Sequence, residues 1–395
     1  MSTRPHKTRP GGGGGRIPLA WRQLTGQKRR FYVAVCGVSF GTVLMLFQLG
    51  IYQSFMITAV RPITAMKGDL AMISADFQYI LTTEAFPERR LYQALAVPDV
   101  AEVFPVGILF SSWRDPDTGT QRKVAMYGIY PFANPFILSG LEHVSAILAQ
   151  PDGVLYDETS PLEFGDVVGR MQRDGVVRSE VNKHAVRVLG LFRHGRTLAV
   201  NGHLVMGMEG FRRVTSRSSQ DIELGVITLH PEASVDAVVE KLNALLPSDV
   251  EVMTKEELQR REKAYWLRNT PLCFIVTSGM LIAMFVGSVI AYQTLYTDIN
   301  DHMREYATLK ALGLSRGYFA RVVMQQAFLL PAFGFLPALM VTGFLFRLAR
   351  ANAGIPTHLA VWDTMMVAGL TLVSCAIAGL LATRRLRAAD PADIF

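Results

Sequence analysis

The chain has 395 residues, of which 50% are hydrophobic and only 18% are charged, and its positive mean hydropathy of +0.24 is unusual for a soluble protein. Its formal net charge is +7, and its three cysteines are too scattered for a disulfide framework or a metal site. This composition excludes a small disulfide-rich secreted domain and favours a membrane protein with room for two or three domains. Because Cys36, Cys273 and Cys375 all lie in apolar stretches, we expect them to be small buried hydrophobic residues.

The first 30 residues form a basic segment with eight Lys or Arg and no acid. Residues 1–15 are Gly-rich and are predicted to be disordered, and their glycines are not followed by the Lys-Ser/Thr of a phosphate loop. The following residues predict an amphipathic helix on the membrane surface, with Trp21 and Arg22 at the interface. A basic arm could bind nucleic acid, but this one leads directly into an apolar stretch, so we expect contact with anionic lipid and no nucleic acid. The apolar face of the helix consists of Ile17, Ala20, Trp21 and Leu24.

Residues 31–60 carry no charge and predict a first transmembrane helix. The stretch is too long for a signal-peptide core, and Lys28, Arg29 and Arg30 precede it. The positive-inside rule then places residues 1–30 in the cytoplasm and residues 61–268 on the opposite side of the membrane.

Residues 61–268 predict a periplasmic α+β domain. Three strand-like runs cover residues 123–129, 186–192 and 224–229, separated by turn-forming clusters such as the DPDTG sequence that begins at residue 115. The last run is followed by an apolar helical face and by a second strand, DVEVM, which predicts a β-α-β unit. The helical face consists of Val235, Val238, Val239, Leu242, Leu245 and Leu246.

Thr254 and Glu257 have the spacing of a helix capping box and predict that a helix begins at Lys255. Only Pro271 separates this helix from the next apolar stretch. We therefore expect a stiff rod that leads from the α+β domain into the membrane.

Three further charge-free stretches predict transmembrane helices 2, 3 and 4, at residues 269–297, 322–346 and 364–383. Since a charge at the centre of a membrane helix costs about 3 kcal/mol on insertion scales, these stretches are difficult to explain otherwise. Residues 384–395 are predicted to form a cytoplasmic tail that begins with Arg384, Arg385 and Arg387 at the membrane interface. The predicted fold class is thus a membrane protein with four transmembrane α-helices, one and then three, and a large extracytoplasmic α+β domain between helices 1 and 2.

Residues 298–321 form a short charged segment between transmembrane helices 2 and 3. Apolar residues recur at every third position, which predicts a small helix on the cytoplasmic membrane face, and Gly313 is a natural stop for it. Such a helix could transmit force to both neighbouring spans; the alternative is an ordinary polar loop at the interface. The recurring apolar residues are Met303, Tyr306, Leu309 and Leu312.

Motifs of catalysis are missing from the sequence: it has no phosphate loop, no HExxH, no GxSxG and no CxxC pair. His184, His194 and His203 are about ten residues apart, which matches no helical pair of metal ligands, so we interpret them as surface histidines. No ionisable residue lies inside any predicted span, which argues against an ion relay. The acids of the α+β domain are interpreted as a solvated face; they include Asp152, Asp157, Glu158, Glu163 and Asp166.

Several segments resemble ABC-transporter permeases of the MacB/FtsX type. REYATLKALGLSRGY, from residue 304, is similar to the segment that ends their cytoplasmic loop, and RRLRAADPADIF, from residue 384, resembles their C-terminus. Five segments, the last of them within the stretch that begins at residue 304, resemble the DevC-type subgroup. They are GDLAMIS from residue 68, RRLYQALAVPDV from 89, EKAYWLRNTP from 262, YQTLYTDINDH from 292 and EYATLKALG from 305.

The resemblance implies a non-catalytic permease of the inner membrane that acts as a homodimer with a cytoplasmic P-loop ATPase. ATP and magnesium would bind to that partner, and this chain would hold no cofactor. Residues 269–391 would form the FtsX-like permease domain. DevC-type members work with a periplasmic membrane-fusion protein and an outer-membrane channel, in the best-known case to export glycolipid. By position, the ATPase-coupling residues would be Glu305, Tyr306, Leu309, Lys310, Leu312 and Gly313.

Three alternatives stay open. Within the permease family, the chain could release lipoproteins or regulate division. In a different class, it could be a membrane-anchored periplasmic sensor, although a sensor normally has a larger cytoplasmic output domain. A membrane enzyme would need a convergent acid/base pair, which the sequence does not show.

Overall fold

The computed structural model describes residues 28–82, 84–218, 220–303, 308, 316–353, 357 and 360–388. The chain divides into two compact units. The helical unit comprises residues 1–51, 274–353 and 357–395, and the intervening domain comprises residues 52–273 and 354–356.

The described helices are numbered in chain order. They are α1 Lys28–Ala59, α2 Arg61–Thr64, α3 Arg89–Gln93, α4 Ser145–Leu148, α5 Val167–Asp174, α6 Met208–Thr215, α7 Val235–Leu245, α8 Lys255–Asn269, α9 Leu272–Asp301, α10 Arg316–Ala353 and α11 Val361–Ala388. Short 3-10 helices cover Ala94–Ala96 and Leu162–Phe164.

Four of these helices are long and apolar enough to cross a membrane: α1, α9, α10 and α11. Their qualifying segments are Lys28–Ala59, Leu272–Asp301, Ala320–Ala351 and Val361–Arg384. The strand-rich intervening domain lies between the first and the second of them, so the predicted fold class is confirmed. Helix α10 contains Pro331 and Pro337 in its interior.

Small residues allow α1 and α9 to approach each other closely within the helical unit. A Cβ atom added at Gly37 would lie 2.3 Å from Ile290, and one added at Gly41 would lie 3.4 Å from the Cα atom of Gly287. Between these two contacts on α9, the Ser288 hydroxyl oxygen lies 2.7 Å from that of Ser374 and joins α9 to α11. Close packing of small residues with hydroxyl hydrogen bonds is the usual basis of helix association in lipid.

The intervening domain is built on a mixed β-sheet whose described strands are ordered β11-β1-β10-β3-β4-β8-β5-β7-β6. The far end of β3 also pairs with β6, so the strands from β3 to β6 close on themselves. The strands are β1 Leu70–Ser74, β2 Phe86–Pro87, β3 Val100–Arg114, β4 Gln121–Ile129, β5 Gly153–Asp157, β6 Val177–Val181, β7 His184–Phe192, β8 His203–Gly207, β9 Asp221–Ile222, β10 Leu224–Leu229 and β11 Val250–Thr254. A separate two-stranded sheet pairs β2 with β9.

Both faces of the sheet are buried. Along β4, Val124 and Met126 belong to one hydrophobic cluster, whereas Ala125 and Tyr127 belong to another. This alternation follows from the two-residue period of a strand, which points successive side chains to opposite faces. The three strand-like runs predicted from the sequence are strands β4, β7 and β10.

The predicted β-α-β unit is present as β10, α7 and β11, but in a split form. Both strands pair antiparallel with β1, which lies between them. Val238 and Leu242 of α7 are fully buried, whereas Val235 and Leu245 are exposed, so the buried face is narrower than predicted.

Helix α8 begins at Lys255, as the capping pattern predicts, because the Thr254 hydroxyl oxygen accepts the backbone N–H of Glu257 at 3.1 Å. The prediction of a rod that leads into the next helix is wrong. Helix α8 ends at Asn269, and Thr270 is extended, with φ −124° and ψ 147°. A proline disfavours helical backbone at the preceding residue, so Pro271 explains this break.

Candidate functional site

The six predicted coupling residues, from Glu305 to Gly313, lie outside the described residues. What the structure describes is the base of the segment 298–321, where α9 ends and α10 begins. There the fully buried Gln326 side chain of α10 donates from Nε2 to the Asp298 carboxylate of α9 at 2.7 Å. The His302 Nδ1 atom lies 2.9 Å from the backbone oxygen of Asp298. The two helices that flank the segment are therefore tied together by a buried polar contact.

A hydrophobic cluster at the same base joins α1, α9, α10 and α11. Met303, the first apolar residue of the predicted coupling stripe, is half-buried against this cluster. Since packed interiors are dense and transmit strain, a force applied to the segment would reach four helices. The buried members are Ala34, Val38, Ala291, Leu295, Ile299, Val323, Ala327, Leu330, Cys375, Ala378 and Ala382.

The predicted membrane-interface residues are described only in part. Lys28, Arg29 and Arg30 are exposed on α1, and Arg384 is exposed on α11. Arg30 forms an ion pair with Asp301 of α9. The backbones of Arg385 and Arg387 lie in α11, whereas Trp21 and Arg22 lie outside the described residues.

Asp157, at the end of β5, is a fully buried carboxylate, so its assignment to a solvated acidic face is wrong. Its Oδ1 atom accepts hydrogen bonds from the Thr159 backbone and hydroxyl at 3.0 and 2.8 Å and from the His194 backbone at 3.2 Å. Its Oδ2 atom accepts the Gly195 N–H at 3.2 Å and lies 3.3 Å from Nδ1 of His203. Burial acts to raise the pKa of Asp157, but the His203 contact and these donors outweigh it and lower the pKa.

His194 and His203 are buried beside Asp157, so their interpretation as surface histidines is also wrong. Their rings stack with centroids 4.5 Å apart, and Tyr127 stacks on His194 at 5.6 Å. Burial, followed by the neighbouring His203, lowers the pKa of His194 to about 3, so its ring is neutral at physiological pH. His184 alone of the three is exposed, as predicted.

A proton relay would need a carboxylate, an imidazole and a hydroxyl in a row. Asp157, His203 and Thr197 are arranged in this way, because the Thr197 hydroxyl lies 3.0 Å from Nε2 of His203. However, that hydroxyl also donates to the backbone oxygen of Val200 at 3.0 Å, and Thr197 is only 6% exposed. A nucleophile must reach a substrate. We therefore interpret this group as a structural element that fixes the ends of β5 and β8.

The other four acids singled out in the sequence are on the surface, as predicted, and each forms an ion pair with an arginine. The pairs are Asp152–Arg187, Glu158–Arg193, Glu163–Arg122 and Asp166–Arg173. Exposed pairs of this kind contribute little to stability.

Glu262 of α8 is a buried acid that the sequence analysis missed. Its carboxylate accepts the Ile80 N–H and the Trp266 Nε1–H, both at 2.9 Å. Burial raises the pKa of Glu262 to about 7, although both donors act to lower it. Trp266 in turn packs edge-on against Phe55, and Tyr79 stacks on Tyr265, so Glu262 is bonded to one member of an aromatic cluster. The sequence contains one indication of this contact, because Glu262 and Trp266 are four residues apart and therefore neighbours on a helix.

Among the described residues, no group of three or more His, Cys, Asp or Glu side chains is arranged to hold a metal ion. Cys375 is buried, as expected, but Cys36 and Cys273 are exposed, so their predicted burial is wrong. Both exposed cysteines lie on helices apolar enough to face lipid, where a small apolar side chain is tolerated.

The C-terminal part of the chain matches a known family model. Residues 277–391 match the family described as FtsX-like permease C-terminal. With its four apolar helices, the chain is a multi-pass membrane protein. No curated protein matches the sequence.

The chain is similar to several solved structures, including the following two. The periplasmic region of MacB from Actinobacillus actinomycetemcomitans is 11% identical with a TM-score of 0.36, over 52% of this chain and 95% of that one. The extracellular domain of the noncanonic ABC-type transporter YknZ from Gram-positive bacteria is 12% identical with a TM-score of 0.34, over 47% of this chain and 99% of that one.

Proposed function

We propose that the chain is the permease subunit of an ABC exporter and transmits ATP-driven motion to its intervening domain. The observation that carries the proposal is the FtsX-like permease domain at residues 277–391, preceded by one apolar helix and a large domain. The sequence has no phosphate loop, so the ATPase, with its ATP and magnesium, would be a separate chain.

The ATPase would dock on the segment 298–321, through Glu305, Tyr306, Leu309, Lys310, Leu312 and Gly313. Two contacts at the base of the segment support this role. The Asp298–Gln326 hydrogen bond and the cluster around Leu295 join both flanking helices to α1 and α11. Motion of the segment would therefore move the helices together, and α1 continues to Ala59, eight residues beyond the boundary of the helical unit.

The DevC-like segments support a finer proposal for the assembly. The chain would form a homodimer in the inner membrane with both termini in the cytoplasm. Its intervening domain would contact a periplasmic membrane-fusion protein that leads to an outer-membrane channel. The cargo would be a glycolipid or another hydrophobic molecule.

Co-purification with a candidate P-loop ATPase co-expressed with this chain tests the docking role. Leu309→Asp would place a charge in the apolar stripe, and Gly313→Arg would add bulk at the predicted helix stop. We expect each variant to lower the recovered ATPase at least ~10-fold, which corresponds to the loss of about 1.4 kcal/mol of binding free energy.

Asn300→Ser serves as the matched control, because Asn300 is exposed at the end of α9 and precedes the six predicted coupling residues. This control should retain the ATPase, and all three variants should insert into the membrane equally. Normal recovery of the ATPase with both Leu309→Asp and Gly313→Arg would contradict the docking role. The purified chain without its partner should hydrolyse no ATP.

A further inference from the structure

We propose that the helical unit holds an anionic phospholipid in a cleft between α1 and α9. This basic cleft has a volume of about 370 Å³, within the ~300–1,000 Å³ range of small-molecule sites. It is lined by Arg29, Arg30, Val33, Gln293, Thr294 and Thr297.

The packing of the two helices explains where the cleft opens. Helices α1 and α9 touch at Gly37 and Ile290, where an added Cβ atom would collide with the isoleucine side chain. One helical turn towards the Arg30 end, Val33 and Thr294 line open space instead. The cleft therefore lies at the end of the two membrane helices, at the depth where lipid headgroups meet the acyl chains.

The charges in the cleft favour an anion. Arg30 is paired with Asp301, which lies one turn beyond Thr297 on α9. Among the described residues, Arg29 forms no ion pair, so the cleft carries one uncompensated positive charge. A guanidinium group presents a fixed fork of N–H donors that suits a phosphate.

The hydroxyl groups of the cleft define the headgroup further. The Thr294 hydroxyl donates to the backbone oxygen of Ile290 at 2.9 Å, and the Thr297 hydroxyl donates to that of Gln293 at 2.8 Å. Each hydroxyl has one hydrogen, so the two oxygens can only accept a further hydrogen bond. A headgroup that combines a phosphate with its own hydroxyl donors, such as that of phosphatidylglycerol, would satisfy both sets of residues.

Exposed apolar residues continue from the cleft along both helices at helical spacing, which favours a lipid over a free phosphate. On α1, Val33 is 62% exposed and Phe40, two turns farther on, is 55% exposed. On α9, Val289 and Phe285 are exposed at successive turns beyond Gln293. Acyl chains attached to a headgroup in the cleft could lie along these residues.

Native mass spectrometry of the full chain, delipidated in detergent, tests this site. The probes are dioctanoyl phosphatidylglycerol, dioctanoyl phosphatidylcholine and inorganic phosphate. We expect the wild-type chain to bind phosphatidylglycerol at least ~10-fold more tightly than phosphatidylcholine, and Arg29→Gln to remove that preference. Thr294→Phe, which fills the cleft without changing its charge, should abolish the binding of phosphatidylglycerol.

The matched control is Arg384→Gln, because Arg384 is an exposed arginine on α11 that does not line the cleft. This variant should bind phosphatidylglycerol as the wild type does. Equal loss in Arg384→Gln and Arg29→Gln would show a diffuse charge effect and overturn the site. Equal affinity for both lipids, or competition by inorganic phosphate at the same concentration as the lipid, would also overturn it. Unchanged melting temperatures of the variants would exclude misfolding as the cause of lost binding.

Discussion

His194 is a buried histidine whose neutral form the fold requires. Its ring packs against those of Tyr127 and His203, and its Nε2 atom has no hydrogen-bond partner among the described residues. A proton on this ring would place a charge in an apolar stack beside another imidazole. This explains why its folded-state pKa, about 3, lies below the ordinary value of 6.5.

This lowered pKa predicts that acid destabilises the intervening domain. The unfolded chain binds a proton at His194 below pH 6.5, whereas the folded chain does so only near pH 3. Stability from this residue is thus fully present above pH 6.5 and is lost as the pH falls towards 3, by about 2 kcal/mol at pH 5. Thermal unfolding of the detergent-solubilised chain at pH 7.5 and pH 5 measures the loss.

His194→Phe keeps an aromatic ring in the stack but cannot bind a proton, so its loss of stability between the two pH values should be smaller than that of the wild type. His184→Phe, at an exposed position, should behave as the wild type. An identical pH dependence in His194→Phe and the wild type would contradict the neutral, buried histidine.

A pair of glycines at one point of the sheet receives the ring of Phe211 from α6. Gly107 of β3 and Gly128 of β4 are direct cross-strand partners, and a Cβ atom added to either would lie 2.5 Å from the Phe211 side chain. The helix can therefore pack closely only because both strands lack side chains here.

Gly128→Ala should accordingly destabilise the chain by about 1–3 kcal/mol through overpacking. Gly369→Ala on α11 is the control, because nothing lies within 4 Å of the added atom, and it should cost nothing. Equal melting temperatures for Gly128→Ala and the wild type would show that the ring can shift and would contradict the close packing.

The break between α8 and α9 depends on Pro271. Pro271→Ala removes the steric restriction on Thr270, so the extended residue can become helical and the two helices can join. Hydrogen exchange followed by mass spectrometry should show at least ~10-fold slower exchange of the amides around residues 270–272 in the variant, which corresponds to about 1.4 kcal/mol of added protection. Unchanged exchange would mean that another contact holds the break.

Sequence patterns predicted a helix or strand correctly where residues within that element determine it. The start of α8 at Lys255 follows from a cap within four residues, and β4, β7 and β10 follow from strand-like runs bounded by turn-forming clusters. The break at Thr270 was missed because a capped helix before it and an apolar stretch after it outweighed a single proline. The prediction had treated Pro271 as a junction rather than as a restriction on the residue before it.

The buried polar groups could not be predicted, because distant parts of the chain form them. Asp157 ends β5, His203 begins β8 and His194 follows β7, and these three positions meet only because β5 lies between β8 and β7 in the sheet. The spacing of these three residues along the sequence does not indicate the order of the strands in the sheet. Likewise, the buried Glu262 accepts a hydrogen bond from the backbone of Ile80, which lies 182 residues away in the sequence.

The four apolar helices could be predicted from the length of the charge-free stretches alone. The intervening domain could be predicted from the long interval between the first and the second stretch. The coupling segment depends on a different kind of argument. Its residues from Glu305 to Gly313 were assigned by resemblance to a family, and the described part of the chain shows only that its base is packed. The proposed mechanism therefore depends on the coupling segment and the intervening domain lying on opposite sides of the membrane.

Labelling of single cysteines with a membrane-impermeant maleimide tests that sidedness most directly. Cys36, Cys273 and Cys375 are first replaced by serine, and one cysteine is then introduced by Phe132→Cys or by Leu309→Cys. Phe132 is chosen because its side chain is 92% exposed in the intervening domain. In intact spheroplasts we expect labelling at position 132 at once and at position 309 only after the membrane is permeabilised. Labelling of both positions from the same side would contradict a cytoplasmic motor that drives a domain across the membrane.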